Sequence, residues 1–287
     1  MADVVVHGPA SWNQLVLLDE LPDPSPHMQF ASAHHEVVGG TSAGKAAHLR
    51  DRGADVELHT VLGTDAAAAS IEAALRRADI TYVATRVEGP SERHLMDPAG
   101  GRVSIYLEVP RAPDVHAPGV TDRLDHACAG ARALVLDLSE TSRAVLGAIG
   151  PVAVPIWTDL HDYDGHSAFH RPFLDAASFV FMNADRLPAP EDFLRDCVDR
   201  GAQVAVCTLG AQGAIAVDAE RRTHRVPAAP VETIVDFNGA GDGFMAGFMV
   251  AHLDGADTDE ALRAGATQAA RALVTVQLSP LLDPAGG

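Results

Sequence analysis

Short, continuous apolar runs alternate with alanine-rich stretches along this chain, and this rhythm most constrains its fold. Runs such as DVVVHG, VELHTVLG and QVAVCTLG end in polar residues or glycine. Apolar runs of this length are typical of strands that are buried on both faces of a parallel sheet. Between them, stretches such as AAAASIEAALRRADI place apolar residues at helical spacing. The alternation predicts an α/β fold, a mostly parallel central sheet between two layers of helices, with ligands at the carboxyl ends of the strands.

Two segments interrupt this rhythm, at residues 14–36 and at about 84–108. Both resemble alternating strands joined by turns, which carry the sequences DPSPH and DPAGG. We expect them to form a small β lid beside the main sheet. The length of 287 residues suits one large α/β domain, so a single domain over residues 1–287 is predicted.

The charge and the cysteines restrict the partners and the compartment. With 21 Lys and Arg against 39 Asp and Glu, the net charge is −18, which argues against nucleic acid and anionic membranes as partners. The three cysteines, Cys128, Cys197 and Cys207, lie far apart without the spacing of metal ligands. Neither a signal peptide pattern nor an apolar run of about 18 residues occurs. These features predict a reduced, cytoplasmic protein.

The strongest local motif is DFNGAGDGFMAGFMVAHL, residues 236–253, in which a glycine-rich turn opens a helix. The first turn of such a helix offers unpaired backbone N–H groups, and the helix dipole adds partial positive charge. This predicts an anion site that needs no charged side chain. Asp242, in that first turn, is either a helix N-terminal aspartate that serves the dipole or a general base beside a bound phosphate.

The stretch DFNGAGD resembles the second signature of the PfkB (ribokinase-like) carbohydrate kinases, D-[ST]-x-G-A-G-D, although Phe237 replaces the small hydroxyl residue. The resemblance implies a ribokinase-like three-layer sandwich and transfer of phosphate from ATP, with Mg²⁺, to a hydroxyl of a small sugar or nucleoside. It also implies an anion hole at Gly239, Ala240 and Gly241, with Asp242 as general base.

Further pieces follow in the order of that family. VCTLGAQGA resembles its nucleotide-binding strand and turn, and FMNADRLP lies where the family has N-x-x-E, with Arg186 in place of the glutamate. Asp185, one residue away, is the candidate to compensate for that loss. The resemblance implies nucleotide contacts at Asn183, Thr208, Gly210 and Asn238.

GGTSAGKA, residues 39–46, carries the only lysine of the chain and permits three interpretations. It resembles a Walker A phosphate loop, but Ala46 replaces the hydroxyl residue that binds magnesium. It also suits a glycine turn before a helix, with Lys45 solvated. Thirdly, it resembles the first PfkB signature, G-G-x-x-x-N-x-A, with Gly44 in place of asparagine.

The third interpretation implies acceptor contacts at Gly39, Gly40 and Lys45, the last of which would bind a hydroxyl, carboxylate or phosphate of the substrate. In HGPASWNQ, Asn13 replaces the usual sugar-binding aspartate. By analogy with that family, the resemblance also points to a homodimer through the lid.

Two alternatives to an active kinase stay open. One is a catalytically weak or inactive binding protein on the kinase scaffold, suggested by Asn13, Gly44 and Arg186. The other is a P-loop NTPase. No protein metal site is predicted, because His166 and His170 share a stretch, HDYDGHSAFH, that favours a loop. Asp159 ends an apolar run and faces either the cleft or a turn.

Overall fold

A nine-stranded sheet lies at the centre of the described residues, in the order β13-β12-β11-β10-β9-β8-β1-β4-β5. This computed structural model describes residues 2–23, 25–97, 103–117, 119–150 and 152–283. The strands are Val4–His7 (β1), Ser11–Leu17 (β2), Ala33–Gly39 (β3), Val56–Leu62 (β4), Thr81–Arg86 (β5), Glu92–Asp97 (β6), Val103–Glu108 (β7), Ala133–Leu136 (β8), Ile156–Asp159 (β9), Phe179–Asn183 (β10), Val204–Thr208 (β11), Ala214–Asp218 (β12) and Thr223–Val226 (β13). The helices are Thr41–Asp51 (α1), Ala66–Arg77 (α2), Thr121–Cys128 (α3), Glu140–Ala148 (α4), Arg171–Ala176 (α5), Pro190–Asp199 (α6), Ala240–Leu253 (α7) and Thr258–Ala272 (α8).

The strands from β11 to β5 pair in parallel, and only β12 and β13 add antiparallel pairs at one edge. Side chains of the inner strands alternate between two hydrophobic cores. Val4 and Val6 of β1 belong to the core under α1, α2, α7 and α8, whereas Val5 belongs to the core under α3 to α6. Both faces of the sheet are therefore covered, and the predicted three-layer α/β sandwich is confirmed. No helix in the described ranges is long and apolar enough to cross a membrane.

A second sheet of four strands, β3-β2-β6-β7, lies beside the first and forms the lid. Its segments differ slightly from the predicted ones: β2 already begins at Ser11, and β5, up to Arg86, pairs with β4 in the large sheet. Within the lid β2 pairs in parallel with β6, and the other two pairs are antiparallel. The predicted turn DPAGG spans residues 97–101, and residues 98–102 lie outside the described ranges.

Two of the connections between the lid and the rest of the fold meet each other. Residues 8–10 lead from β1 into β2, and Gly40 leads from β3 into α1. Gly40 has a positive φ of 87°, and a Cβ atom there would lie 2.4 Å from the carbonyl oxygen of Pro9. The close approach of these two connections fixes where the lid begins.

Helix α7 packs against α1 and α8 through glycines. A Cβ atom on Gly247 would lie 2.6 Å from the carbonyl oxygen of Ala264, and one on Gly243 would lie 2.9 Å from that of Gln268. Phe244 and Phe248 of the same helix are buried. The close approach of the helices sets the position of the α7 N-terminus, which faces the lid.

Gly247→Ala should lower the free energy of unfolding by about 1–3 kcal/mol, because the added methyl group overpacks a backbone contact. Gly147 is a matched control: it is an exposed glycine of α4 with open space around its Cβ position. Gly147→Ala should instead raise stability by up to about 1 kcal/mol through helix propensity. Urea denaturation of both variants measures the difference, and equal effects would contradict the packing argument.

Candidate active site

A cavity of about 1260 Å³ opens between the lid and the carboxyl edge of the large sheet. Strands of a parallel sheet end at the same edge, so residues at their carboxyl ends converge there. The lining includes Asn13 and Tyr106 of the lid, Asp159, Asn183 and Thr208 of the large sheet, and Gly239 and Asp242 at the start of α7. This cavity is the candidate active site, and three elements distant in sequence build it.

The N-terminus of α7 forms one wall of the cavity. Gly239 is its N-cap, in the left-handed region at φ 78°, and a Cβ atom there would lie 2.1 Å from the carbonyl oxygen of Leu278. Only glycine fits this turn without strain. No side chain of the described residues caps the helix. The N–H groups of Gly241 and Asp242 thus remain available to an anion, supported by the helix dipole, whereas that of Ala240 donates to the carbonyl oxygen of Phe237 at 3.5 Å.

Hydrogen bonds to Asp236 stabilise the turn before α7. Oδ1 of Asp236 accepts a hydrogen bond from the backbone N–H of Asn238 at 2.9 Å, and its Oδ2 accepts one from the side-chain amide of Asn238 at 3.2 Å. Both residues are buried, whereas Phe237 between them is 53% exposed and lines the cavity. An apolar ring therefore stands at the cavity wall beside the glycine turn.

Lys45 lies at the junction of α1, α7 and the strand ends. Its Nζ is 2.7 Å from Oδ1 of Asp242, 3.1 Å from Oδ1 of Asp137 and 3.4 Å from Oδ2 of Asp159. The lysine is only 1% exposed. Asp159 and Asp242 line the cavity, while Lys45 and Asp137 lie behind its wall. We call these four residues the lysine cluster.

The charges of the lysine cluster oppose the cost of burial. Burial by itself lowers the pKa of Lys45, but the three carboxylates together raise it above its ordinary value, so the side chain is an ammonium ion. Burial raises the pKa of Asp242 to about 6, and Lys45 limits that rise. At pH 7 most of Asp242 is therefore ionised.

A glycine and a serine hold Asp137 in place. The Ser42 hydroxyl donates to Oδ2 of Asp137 at 2.8 Å. A Cβ atom on Gly8 would lie 2.3 Å from the Ser42 hydroxyl oxygen and 2.9 Å from Cβ of Asp137. Gly8, at the end of β1, thus makes the space in which α1 meets the end of β8.

Comparison with known proteins agrees with this architecture. A model described as pfkB family carbohydrate kinase matches residues 181–280. An acarbose 7(IV)-phosphotransferase from Actinoplanes is 30% identical over 275 residues, which cover 94% of this chain and 91% of the relative. A nucleoside kinase from Methanocaldococcus jannaschii is 21% identical over 94% of this chain and 89% of its own length.

The chain belongs to the pfkB family of carbohydrate kinases. Among solved structures, a microbiome-derived acarbose kinase superposes with a TM-score of 0.83 at 28% identity, covering 98% of both chains. Arabidopsis thaliana ribokinase, solved with ribose and ATP, superposes with a TM-score of 0.77 at 20% identity, over 96% of this chain and 93% of its own. The ribokinase-like fold is therefore confirmed.

The kinase brings two of the four predicted acceptor residues, Asn13 and Gly40, to the cavity lining, whereas Gly39 and Lys45 are not among the described lining residues. Asn13 lines the cavity and is held by two contacts: Ser11 donates to its Oδ1 at 2.8 Å, and its Nδ2 donates to Sδ of Met96 at 3.2 Å. A Cβ atom on Gly39 would lie 2.0 Å from Nδ2 of Asn13, so Gly39 makes room for that side chain. Gly40 lines the cavity directly.

The predicted nucleotide residues divide into two groups. Asn183 and Thr208 are register partners at the ends of β10 and β11, and they line the cavity together with Asn238. Gly210 begins a 3₁₀ turn after β11 and is not among the described residues that line the cavity.

GGTSAGKA in this kinase is not a P-loop. It follows β3 of the lid rather than a strand of the large sheet, and Lys45 points into the lysine cluster instead of the cavity. The interpretation of Lys45 as a solvated lysine is wrong, because three carboxylates at the strand ends and on α7 enclose it.

Sequence reasoning missed Asp137 as a partner of Lys45. Asp137 directly follows the apolar run of β8, so a signal existed: polar residues after buried strands gather at the carboxyl edge. His161 was also missed as a residue of the cavity wall. It has a left-handed backbone after β9, and its backbone N–H donates to Oδ1 of Asp159 at 2.9 Å.

No group of three or more histidine, cysteine or acidic residues in the described ranges is arranged to hold a metal ion. His166 and His170 lie between β9 and the first residue of α5, where His166 donates its backbone N–H to Asp164. In the lysine cluster an ammonium ion, not a metal, takes the position where three carboxylates converge.

Proposed function

We propose that this carbohydrate kinase transfers the γ-phosphoryl group of ATP to a hydroxyl of a small sugar or nucleoside-like acceptor, with Asp242 as the general base. One observation carries the proposal: Asp242 faces the cavity from the first turn of α7, beside the uncapped N-terminus. A carboxylate at that point lies next to the site that suits the transferred phosphate. The base and the anion site are thus parts of one helix end.

The nucleotide is assigned to the strand ends beside α7. Asn183, Thr208 and Asn238 line that part of the cavity, with Gly210 in the adjoining turn. The amides at Gly239, Ala240 and Gly241 would hold the transferred phosphate in the manner of an oxyanion hole. Their contribution does not need a cationic side chain, which suits a chain of net charge −18.

The residues present also fit Mg²⁺ that arrives with ATP. Mg²⁺ in such sites is held through one or two carboxylates together with substrate phosphates. Asp185 is exposed at the cavity and donates its backbone N–H to Oδ1 of Asn183 at 3.0 Å. These two residues would hold the ion, which would neutralise phosphate charge. Arg186 turns away, toward Asp164 at 3.6 Å.

The acceptor is assigned to the lid side of the cavity, at Asn13, Gly39 and Gly40. No lysine or arginine is among the described residues of the cavity lining. This favours an acceptor without a phosphate or carboxylate group, because the described lining of the lid side offers such a group no lysine or arginine side chain, which would make the strongest hydrogen bonds to it. Two similar proteins are named for acarbose and one for nucleosides, so acarbose and nucleosides should be the first acceptors tested.

Asp242→Asn should lower kcat about 100- to 10,000-fold, the usual contribution of a general base, with little change in ATP affinity. The measurement is ADP release with ATP and Mg²⁺ against acarbose, sugars, nucleosides and polyols. Asp254→Asn, at the exposed C-terminal end of the same helix, is the control and should keep full activity.

The panel also separates an enzyme from a binding protein. Release of ADP that requires one acceptor and is lost in Asp242→Asn supports the kinase mechanism. ATP binding without turnover across the panel supports the inactive scaffold. An Asp242→Asn variant with full activity would show that the general base is another group.

Asp185→Asn should raise the Mg²⁺ concentration for half-maximal activity several-fold, since it removes the charge next to Asn183. Arg186→Ala changes a side chain that is directed toward Asp164 and should leave this concentration nearly unchanged. Titrations of Mg²⁺ at fixed, saturating ATP compare the two variants. If Arg186→Ala raised this Mg²⁺ concentration more than Asp185→Asn does, the assignment of Mg²⁺ to Asp185 would be wrong.

A homodimer through the lid is the proposed assembly. On the edge strand β7, Val103, Ile105 and Leu107 stand on one face and are each 40–49% exposed. An apolar row on an edge strand favours association. The strongly acidic chain, by contrast, disfavours nucleic acid and anionic membranes.

Ile105→Asp should shift the protein from dimer to monomer, because it places a charge in the centre of that apolar row. Light scattering after size-exclusion chromatography measures the mass at several concentrations. Val274→Asp, an exposed apolar position after α8, is the control and should not change the mass. A wild-type protein that is monomeric throughout would refute the dimer.

A further inference from the structure

Lys45 is the only lysine of the chain, and its surroundings do not resemble those of a ligand-binding side chain. It is 1% exposed, lies behind the cavity wall and has carboxylate oxygens of Asp242, Asp137 and Asp159 within 2.7–3.4 Å. A substrate hydroxyl in the cavity would have to displace Asp159 or Asp242 to reach the ammonium. The contacts of Lys45 are therefore with the three carboxylates, and the acceptor in the cavity does not reach it.

The two oxygens of Asp242 have different environments. Oδ1 accepts the hydrogen bond from Lys45 at 2.7 Å. Oδ2 lies against Gly44 and receives no hydrogen bond from the described part of the chain. One oxygen is thus fixed by the ammonium, and the other remains to accept a proton from a ligand in the cavity.

Gly44 is the residue that permits this contact. A Cβ atom at position 44 would lie 2.4 Å from Oδ2 and 3.0 Å from Cγ of Asp242. Any larger residue would push the carboxylate out of its present position. Gly44 and Lys45 are adjacent in α1. Gly44 leaves room for the Asp242 carboxylate, and Lys45 supplies the positive charge that pairs with it.

We propose that Lys45 is the positioning residue for the general base: it holds the Asp242 carboxylate charged and correctly turned toward the cavity, and Gly44 makes room for it. The proposal rests on the proposed function of Asp242 and deepens it. It also assigns Lys45 a role other than binding the acceptor.

Lys45 offsets the repulsion among the carboxylates that surround Asp242. The carboxylates of Asp137, which follows β8, and Asp159, at the end of β9, lie beside the ammonium, and His161 of the following loop lines the cavity together with Asp242. His48, one turn further along α1, is neutral at pH 7 because burial lowers its pKa to about 4. Without Lys45, the buried carboxylates would repel one another and hold protons more tightly.

Lys45→Met tests this role through the pH dependence of kcat. Asp242 must be ionised to act, and loss of the ammonium raises its pKa, so the acidic limb of the profile should move upward by about 1–3 pH units. At pH 7 kcat should fall at least about tenfold and recover in part near pH 9, while the acceptor KM changes little. An unmoved acidic limb with a raised acceptor KM would overturn the proposal and make Lys45 an acceptor ligand.

Gly44→Ala is the second variant, because Lys45→Met leaves three buried carboxylates without a counter-charge and could fail to fold. It retains every charge and adds only a methyl group beside Asp242. We expect kcat to fall about tenfold or more, as for misplacement of a catalytic group, with an unchanged acceptor KM. Gly147→Ala in α4 is the control. Normal kcat in a folded Gly44→Ala variant would overturn the proposal, whatever Lys45→Met does.

A titration that needs no turnover separates this inference from the proposed function. The carboxyl ¹³C resonance of Asp242, identified by its loss in Asp242→Asn, gives the pKa of that group in the wild type and in each folded variant. A higher pKa in Lys45→Met supports the positioning role even if the panel finds no acceptor. An identical pKa in the two proteins would overturn the positioning role and leave the kinase assignment intact.

Discussion

A single buried ammonium joins four parts of this kinase that are distant in sequence. Lys45 and Asp242 are 197 residues apart, and their contact ties α1 to α7. Contacts of Lys45 with Asp137 and Asp159 add the ends of β8 and β9. Burying a charge is costly unless it is paired, so each member of the cluster stabilises the burial of the others. The cluster thereby stabilises the relative positions of α1, α7 and the ends of β8 and β9.

Glycines supply the space in which this cluster assembles. Gly8 lets Ser42 reach Asp137, and Gly44 lets Asp242 reach Lys45. Gly243 and Gly247 bring α7 close to its neighbouring helices. Close-packed interiors do not tolerate an additional methyl group at such points. The lysine cluster therefore depends on the close approach of the backbone at these glycines as well as on its charges.

Much of the fold was predictable, because the decisive information is local. Buried strands such as β1 and β11 are largely apolar runs, and the glycine turn before α7 lies within one short motif. Where the sequence pattern is a poor guide to the fold, the reason is also physical. The β-branched run VETIV, residues 231–235, forms no strand, and its Ile234 and Val235 are about half exposed. Composition alone does not decide strand formation, since a strand also needs a neighbour and a core.

The site was less predictable, because it depends on which residues the fold brings together. The motif identified Asp242 and its glycines, but Gly210 lies outside the cavity lining and Lys45 lies behind the wall. Nothing local to GGTSAGKA indicates three aspartates, since they lie after β8, at the end of β9 and in the first turn of α7. Once the strand order is known, however, Asp137 and Asp159 necessarily approach one another, because β8 and β9 are parallel neighbours. Two carboxylates brought together in this way need a cation between them and the Asp242 carboxylate of α7, and the one lysine of the chain provides it.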